Sequence, residues 1–203
     1  MSSWLVRRRH ADGSASAWNI ANALTVLRIL LVPLMAALLL VDDGRDPWWR
    51  LAAAAAFGVA IATDKVDGEL ARRHDLVTDF GKLVDPIADK ALIGTALVLL
   101  SLLGELPWWI TVVVLGRELG VTALRLVVIR HGVIPASRGG KLKTVLQALA
   151  IALYLVPTID LLDPWKPVLA LVVMLVAVVV TVVTGVDYVL SALRLRRAGG
   201  RRT

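Results

Sequence analysis

The sequence predicts an all-α integral membrane protein with six transmembrane helices and both termini on the cytoplasmic side. Three observations predict it. Of the 203 residues, 58% are hydrophobic, more than the apolar share of an ordinary soluble domain. The excess is blocked into six runs, roughly 20–41, 49–73, 83–104, 107–130, 142–160 and 165–193; each is long enough to cross ~30 Å of hydrocarbon at ~1.5 Å per residue. Lysine and arginine, finally, gather in alternate connectors and at both ends, the asymmetry that marks cytoplasmic segments. The formal charge of +7 therefore points to an anionic membrane face rather than to nucleic acid.

Taken in order, residues 1–17 are polar and contain Arg7, Arg8 and Arg9, which reads as a mobile basic tail. The first run is too long for a secretory signal and has further spans behind it, which favours a retained helix that Pro33 kinks. The connectors carry turn or break signals: Asp43-Gly44 with Pro47, Asp85-Pro86, Gly104 with Pro107, Gly139-Gly140, and Asp163-Pro164. Residues 18–195 thus form one catalytic-sized helical domain, and 196–203 a second basic tail with Arg196, Arg197, Arg201 and Arg202. Trp48, Trp49, Trp108, Trp109 and Trp165 fall at the ends opposite the basic connectors, as an interfacial belt does. With no cysteine, disulfides, thiolate metal sites and thiol nucleophiles are excluded.

The polar stretch between the second and third runs interrupts this pattern. Asp64 and Asp67 are three residues apart and share a helix face; Asp85 and Asp89, four apart, share another. Two carboxylates from the end of one helix can meet two from the start of the next. Such a quartet repels itself unless cations hold it, and hard divalent ions suit oxygen donors. Solvated aspartates in a polar loop are the bland alternative. Gly68, Ala71 and Gly81 leave room for a bulky ligand near the backbone, and Arg72 offers a planar donor suited to phosphate. Counted from Trp49, Asp64 lies ~20 Å into the membrane, near the cytoplasmic third, where a carboxylate faces a cavity or the bundle interior.

A second polar group follows. Arg117 and Glu118 stand in the middle of the fourth run, and as sequence neighbours they point apart on a helix. Glu118 and Arg125, seven apart, share a face; they form either an interhelical ion-pair lock or, for Arg125, a cation lining a substrate cavity. Beyond them, Ser137-Arg138-Gly139-Gly140 leads into a helix opening with Lys141, Lys143 and Thr144. A glycine-rich approach to a basic helix start binds phosphate readily, or it is a plain positive-inside anchor. Asp187 and Tyr188 in the last run are expected to contact partners within the bundle.

Asp64-x-x-Asp67-Gly68-x-x-Ala71-Arg72, eight residues, Gly81, three, Asp85, three, Asp89 resembles the full signature of the CDP-alcohol phosphotransferases, in all eight positions and every spacing. Similarity extends to the flanking stretches Asn22–Arg28, Thr63–Gly68, Asp85–Leu92, Gly116–Arg125 and Ile134–Gln147, which are similar to those of bacterial members acting on glycerol phosphate. Ala21 departs from the proline many relatives carry there. The resemblance implies CDP-diacylglycerol as donor, with its pyrophosphate on two Mg2+ ions (Mn2+ being possible) held by Asp64, Asp67, Asp85 and Asp89. It implies that Gly68, Ala71, Arg72 and Gly81 contact the nucleotide, and that Asp89 is the general base. The acceptor it implies is sn-glycerol 3-phosphate, its phosphate met by Arg117, Arg125, Lys141 and Lys143. Phosphatidylglycerol phosphate and CMP are the implied products, and a homodimer in the bacterial inner membrane, its site facing the cytoplasm, the implied setting. The alternatives are the same chemistry on inositol phosphate, phosphatidylglycerol or serine, and a divalent-cation transporter. The transporter needs acidic residues in the outer half of the bundle, and runs 51–62 and 91–103 have none.

Overall fold

The computed structural model describes residues 20–74, 79–128, 138–157 and 164–199; the expected N-terminal tail and the last residues of the C-terminal one lie outside them. Among the described residues there are six α-helices and no strand: α1 Ile20–Leu40, α2 Pro47–His74, α3 Asp79–Leu102, α4 Trp108–Val128, α5 Arg138–Leu155 and α6 Lys166–Gly199. Each matches one apolar run. The differences sit at the ends. Helix α3 starts before the Asp85-Pro86 step and continues through Pro86, α5 starts at Arg138 with Gly139-Gly140 inside its first turn, and α6 runs on through 196–199. A proline removes one helical hydrogen bond, a local loss that the turns on either side of Pro86 absorb.

The helix starts follow capping chemistry. Asp46 accepts hydrogen bonds from the Trp48 and Trp49 amides at 2.8 and 3.1 Å, with Pro47 in the first helical position, where no amide is needed. The α1–α2 turn, Val41–Gly44, is strained: Asp42, Asp43 and Gly44 all have positive φ. Gly44 is buried at φ +71°, and a Cβ there would come within 2.9 Å of Leu103 Cδ1 and 3.2 Å of the Leu39 carbonyl. Gly44→Ala is therefore expected to lower stability by about 1–2 kcal/mol, read as a lower melting temperature of the detergent-solubilised protein. Gly104, also at positive φ, ends α3: the Glu105 and Leu106 amides turn back to the Leu100 carbonyl at 3.0 and 3.1 Å.

One side chain ties this end of the bundle together. The Arg50 guanidinium donates to both Glu105 carboxylate oxygens, to the Gly44 carbonyl (3.0 Å) and to the Tyr154 carbonyl (2.6 Å). The turn after α1, the start of α2, the α3–α4 loop and the end of α5 are thereby gathered. The five tryptophans named above are exposed here.

In the core, α1 packs along α2 and α3, α6 along α4 and α5, and α5 joins the two groups by touching α2 and α3. Leu31, Met35 and Leu39 repeat every four residues on α1 and meet Ala53, Phe57 and Ala60 of α2 and Leu97 and Leu100 of α3. The alanines let α2 approach closely, which matters where packing rather than water exclusion holds helices together. Thr111 of α4 bonds Ser101 (2.7 Å) and the Leu97 carbonyl (3.2 Å) of α3.

Large apolar side chains also cover the outside, among them Leu30, Leu34, Val112, Leu119, Val179 and Val183. Helix α1 with its following turn (Ala23–Gly44, 22 residues) and α6 (Lys166–Arg194, 29 residues) are apolar and long enough to cross a membrane. The other four helices carry more charges within their spans, and these, with Arg28 of α1, make the candidate site.

Candidate active site

Asp64 on α2 and Asp89 on α3 line one cavity, of about 110 Å3, with Arg28 of α1 and Thr144, Val145 and Ala148 of α5. The two carboxylates that sequence spacing assigned to different helices are brought to one space. Helix α2 also runs through position 67 and α3 through position 85. The side chains of Asp67, Ala71, Arg72 and Asp85, and the surroundings of Gly68 and Gly81, lie outside the described residues. Among the described residues no three acidic or histidine side chains converge.

Arg28 is the residue that the sequence reading left without a role. It is a lone charge in the apolar face of α1, fully buried, and its Nη1 lies 2.8 Å from Asp64 Oδ1. Asp64 itself is half-exposed, so the pair joins a desolvated guanidinium to a carboxylate that still reaches the cavity. A lone arginine at the ninth position of a helix of this hydropathy was the available signal, since such a charge needs a partner.

Asp89 stands within electrostatic reach of Asp64, Arg28, Lys143 and Glu118, yet among the described residues it has no hydrogen-bond or ion-pair partner. Together with Thr144 and Ile93 it also lines a second cavity of about 110 Å3, whose other walls are Lys90, Leu115, Glu118, Leu119, Lys143 and Gln147. Asp89, Ile93 and Thr144 are thus shared by two chambers, one lined also by Asp64 and Arg28, the other by Lys90, Lys143 and Glu118.

The four cations expected at an acceptor phosphate separate. Lys143 is buried, lines the second cavity and is ion-paired to Glu118 of α4. Lys141, two residues earlier and so on another face of α5, is exposed. Arg117 is paired to Glu118 at 3.2 Å, against the expectation that sequence neighbours point apart: its long side chain bends back along the helix. The Glu118–Arg125 pairing does not form. Arg125 instead lies over the Tyr188 ring of α6, 5.9 Å from its centre, which gives Tyr188 the bundle contact expected of it. Neither Arg117 nor Arg125 is among the side chains lining the two cavities.

A wider cleft of about 800 Å3 opens at the opposite end, around Arg50, Glu105, Tyr154 and Lys166. Its central cation, Arg50, is paired with Glu105.

Oxygen donors from Asp64 and Asp89, the latter without a hydrogen-bond or ion-pair partner among the described residues, and adjoining space fit a hard divalent cation. The chain belongs to the CDP-alcohol phosphatidyltransferase family, whose model matches residues 18–183. It is 54% identical over 182 residues to the probable phosphatidylglycerophosphate synthase of Mycobacterium tuberculosis, covering 90% of this chain and 85% of that one. It is 38% identical over 181 residues to the CDP-diacylglycerol–glycerol-3-phosphate 3-phosphatidyltransferase of Bacillus subtilis, covering 84% and 93%. The protein of the same name from Rickettsia typhi is 33% identical over 175 residues.

Proposed function

We propose that the chain transfers the phosphatidyl group of CDP-diacylglycerol to sn-glycerol 3-phosphate, giving phosphatidylglycerol phosphate and CMP. The observation that carries this reading is the placement of Asp89 on the wall between two chambers. A base that takes a proton from one substrate while its reaction partner lies on the other side has to stand there. In this reading CDP-diacylglycerol occupies the Asp64 side and the acceptor the Lys143 side. The acceptor's primary hydroxyl attacks the phosphorus bearing diacylglycerol, the bond from that phosphorus to the CMP oxygen breaks, and the hydroxyl proton passes to Asp89.

Asp64, Asp67, Asp85 and Asp89 would hold two divalent ions, Mg2+ in the first place. When bound, these neutralise the pyrophosphate and stabilise the charge on entering and leaving oxygens. Gly68, Ala71 and Gly81 leave space along the nucleotide, and Arg72 donates to its phosphates. Arg28 orients Asp64. Lys143 receives the acceptor phosphate, with Lys141 at the mouth. Six crossings, cytoplasmic termini, a site open to the cytoplasm and a homodimer belong to the same proposal. The buried apolar layer of Phe57, Ala60, Leu92 and Ala96 beyond Asp64 argues against a cation path through the bundle.

The test is CMP release by purified protein given CDP-diacylglycerol with sn-glycerol 3-phosphate, inositol phosphate, phosphatidylglycerol or serine in turn. Release is expected with sn-glycerol 3-phosphate. Release with one of the other acceptors alone would reassign the substrate.

A further inference from the structure

We infer that Glu118 is a positioning residue that aims the Lys143 ammonium into the acceptor chamber, and that α6 holds Glu118 in place through Arg117. This rests on the reading of that chamber as the acceptor site. Glu118 Oε1 receives both Lys143 Nζ from α5 and Arg117 Nη1 from its own helix. The remaining guanidinium nitrogens of Arg117 go to α6: Nε donates to the Thr181 carbonyl at 3.2 Å and Nη2 to Thr184 Oγ1 at 3.0 Å. Each nitrogen of Arg117 therefore has a partner in the protein. Its task is internal.

Charge explains the arrangement. A carboxylate beside an anionic acceptor is repulsive unless it is compensated. Arg117 neutralises Glu118, which leaves the Lys143 charge available to the phosphate. Lysine is a point charge on a flexible stem, and without an anchor it has no fixed direction. Glu118 supplies that anchor from the chamber wall, where both residues lie. Gln147, on the same wall, donates to Thr181 Oγ1 at 3.0 Å, so α6 ties α4 and α5 together at one level.

Gly185 makes the link possible. The Arg117 stem lies across it, and a Cβ at 185 would stand 3.0 Å from Arg117 Cγ and 3.3 Å from Nε. A methyl group there makes the arginine stem give way by a few tenths of an ångström, which loosens its two bonds to α6. By contrast, a Cβ at Gly116, the residue before Arg117, meets open space.

The experiment measures initial rates of CMP release by the full-length protein, varying CDP-diacylglycerol and sn-glycerol 3-phosphate separately. Glu118→Gln is expected to raise the acceptor KM about tenfold, the scale of a lost charge-assisted hydrogen bond. Gly185→Ala and Thr184→Val, both remote from the chamber, are expected to raise it several-fold, with the donor KM, kcat and melting temperature near wild type. Gly116→Ala is expected to change none of these. Gly185→Ala and Thr184→Val with a wild-type acceptor KM, or with donor and acceptor KM rising together, would overturn the inference while wild-type activity still upheld the acceptor reading. A wild-type protein silent on sn-glycerol 3-phosphate would remove that reading and this inference with it.

Discussion

Asp89→Asn is expected to lower CMP release by about 10²–10⁴-fold, the usual contribution of a general base, with the protein still folded. Asparagine keeps the volume of the side chain and one acceptor oxygen. It loses the negative charge and the capacity to take a proton. Because Asp89 has no hydrogen-bond or ion-pair partner among the described residues, the substitution breaks none of the described contacts of α3. The loss should therefore appear in kcat, with the melting temperature close to wild type. Rates measured with saturating donor and acceptor check it, and a wild-type rate would show that Asp89 is not the base.

Arg28→Met should be the second large effect, and it should act on both stability and turnover. Methionine fills most of the arginine stem's volume in the fully buried site, but it leaves Asp64 and Asp89 facing the same cavity without the cation beside Asp64. Losing a hydrogen bond to a charged group costs about 1.5–3 kcal/mol, and half-exposed Asp64 regains part of this from water. Loss of a residue that orients a metal-binding carboxylate typically lowers activity about 10–100-fold. If Arg28 works through Asp64, the two losses are not additive. Arg28→Met in the Asp64→Asn background should then add little to the rate deficit, whereas full additivity would show that the two residues act separately.

Much of the fold was legible because helix length and apolar run coincide in this chain. The break signals at Asp43-Gly44 with Pro47 and at Gly104 with Pro107 are local chemistry, and local chemistry is written in order along the sequence. The spacing of Asp64, Asp67, Asp85 and Asp89 was legible for the same reason, since each pair shares a face of one helix. What was not legible depends on which helix lies against which. Glu118 and Arg125 share a face, but α5 brings Lys143 to Glu118, and α6 brings Tyr188 to Arg125. Arg117 was grouped with the cations expected at the acceptor phosphate, whereas its guanidinium bonds the Thr181 carbonyl and the Thr184 hydroxyl of α6. Arg28 lay inside a stretch noted only for its similarity to relatives. Its partner is thirty-six residues away on α2, a contact that no spacing rule reaches.

The central claim is that the acids of α2 and α3 form one divalent-ion site against which the liponucleotide binds. Titration of Mn2+ into the purified protein with CDP-diacylglycerol present, followed by electron paramagnetic resonance, tests it directly. Two magnetically coupled ions per chain are expected, with binding weakened in Asp64→Asn and in Asp89→Asn. A protein that releases CMP at full rate while binding no Mn2+, or that binds it equally well in both variants, would contradict the account.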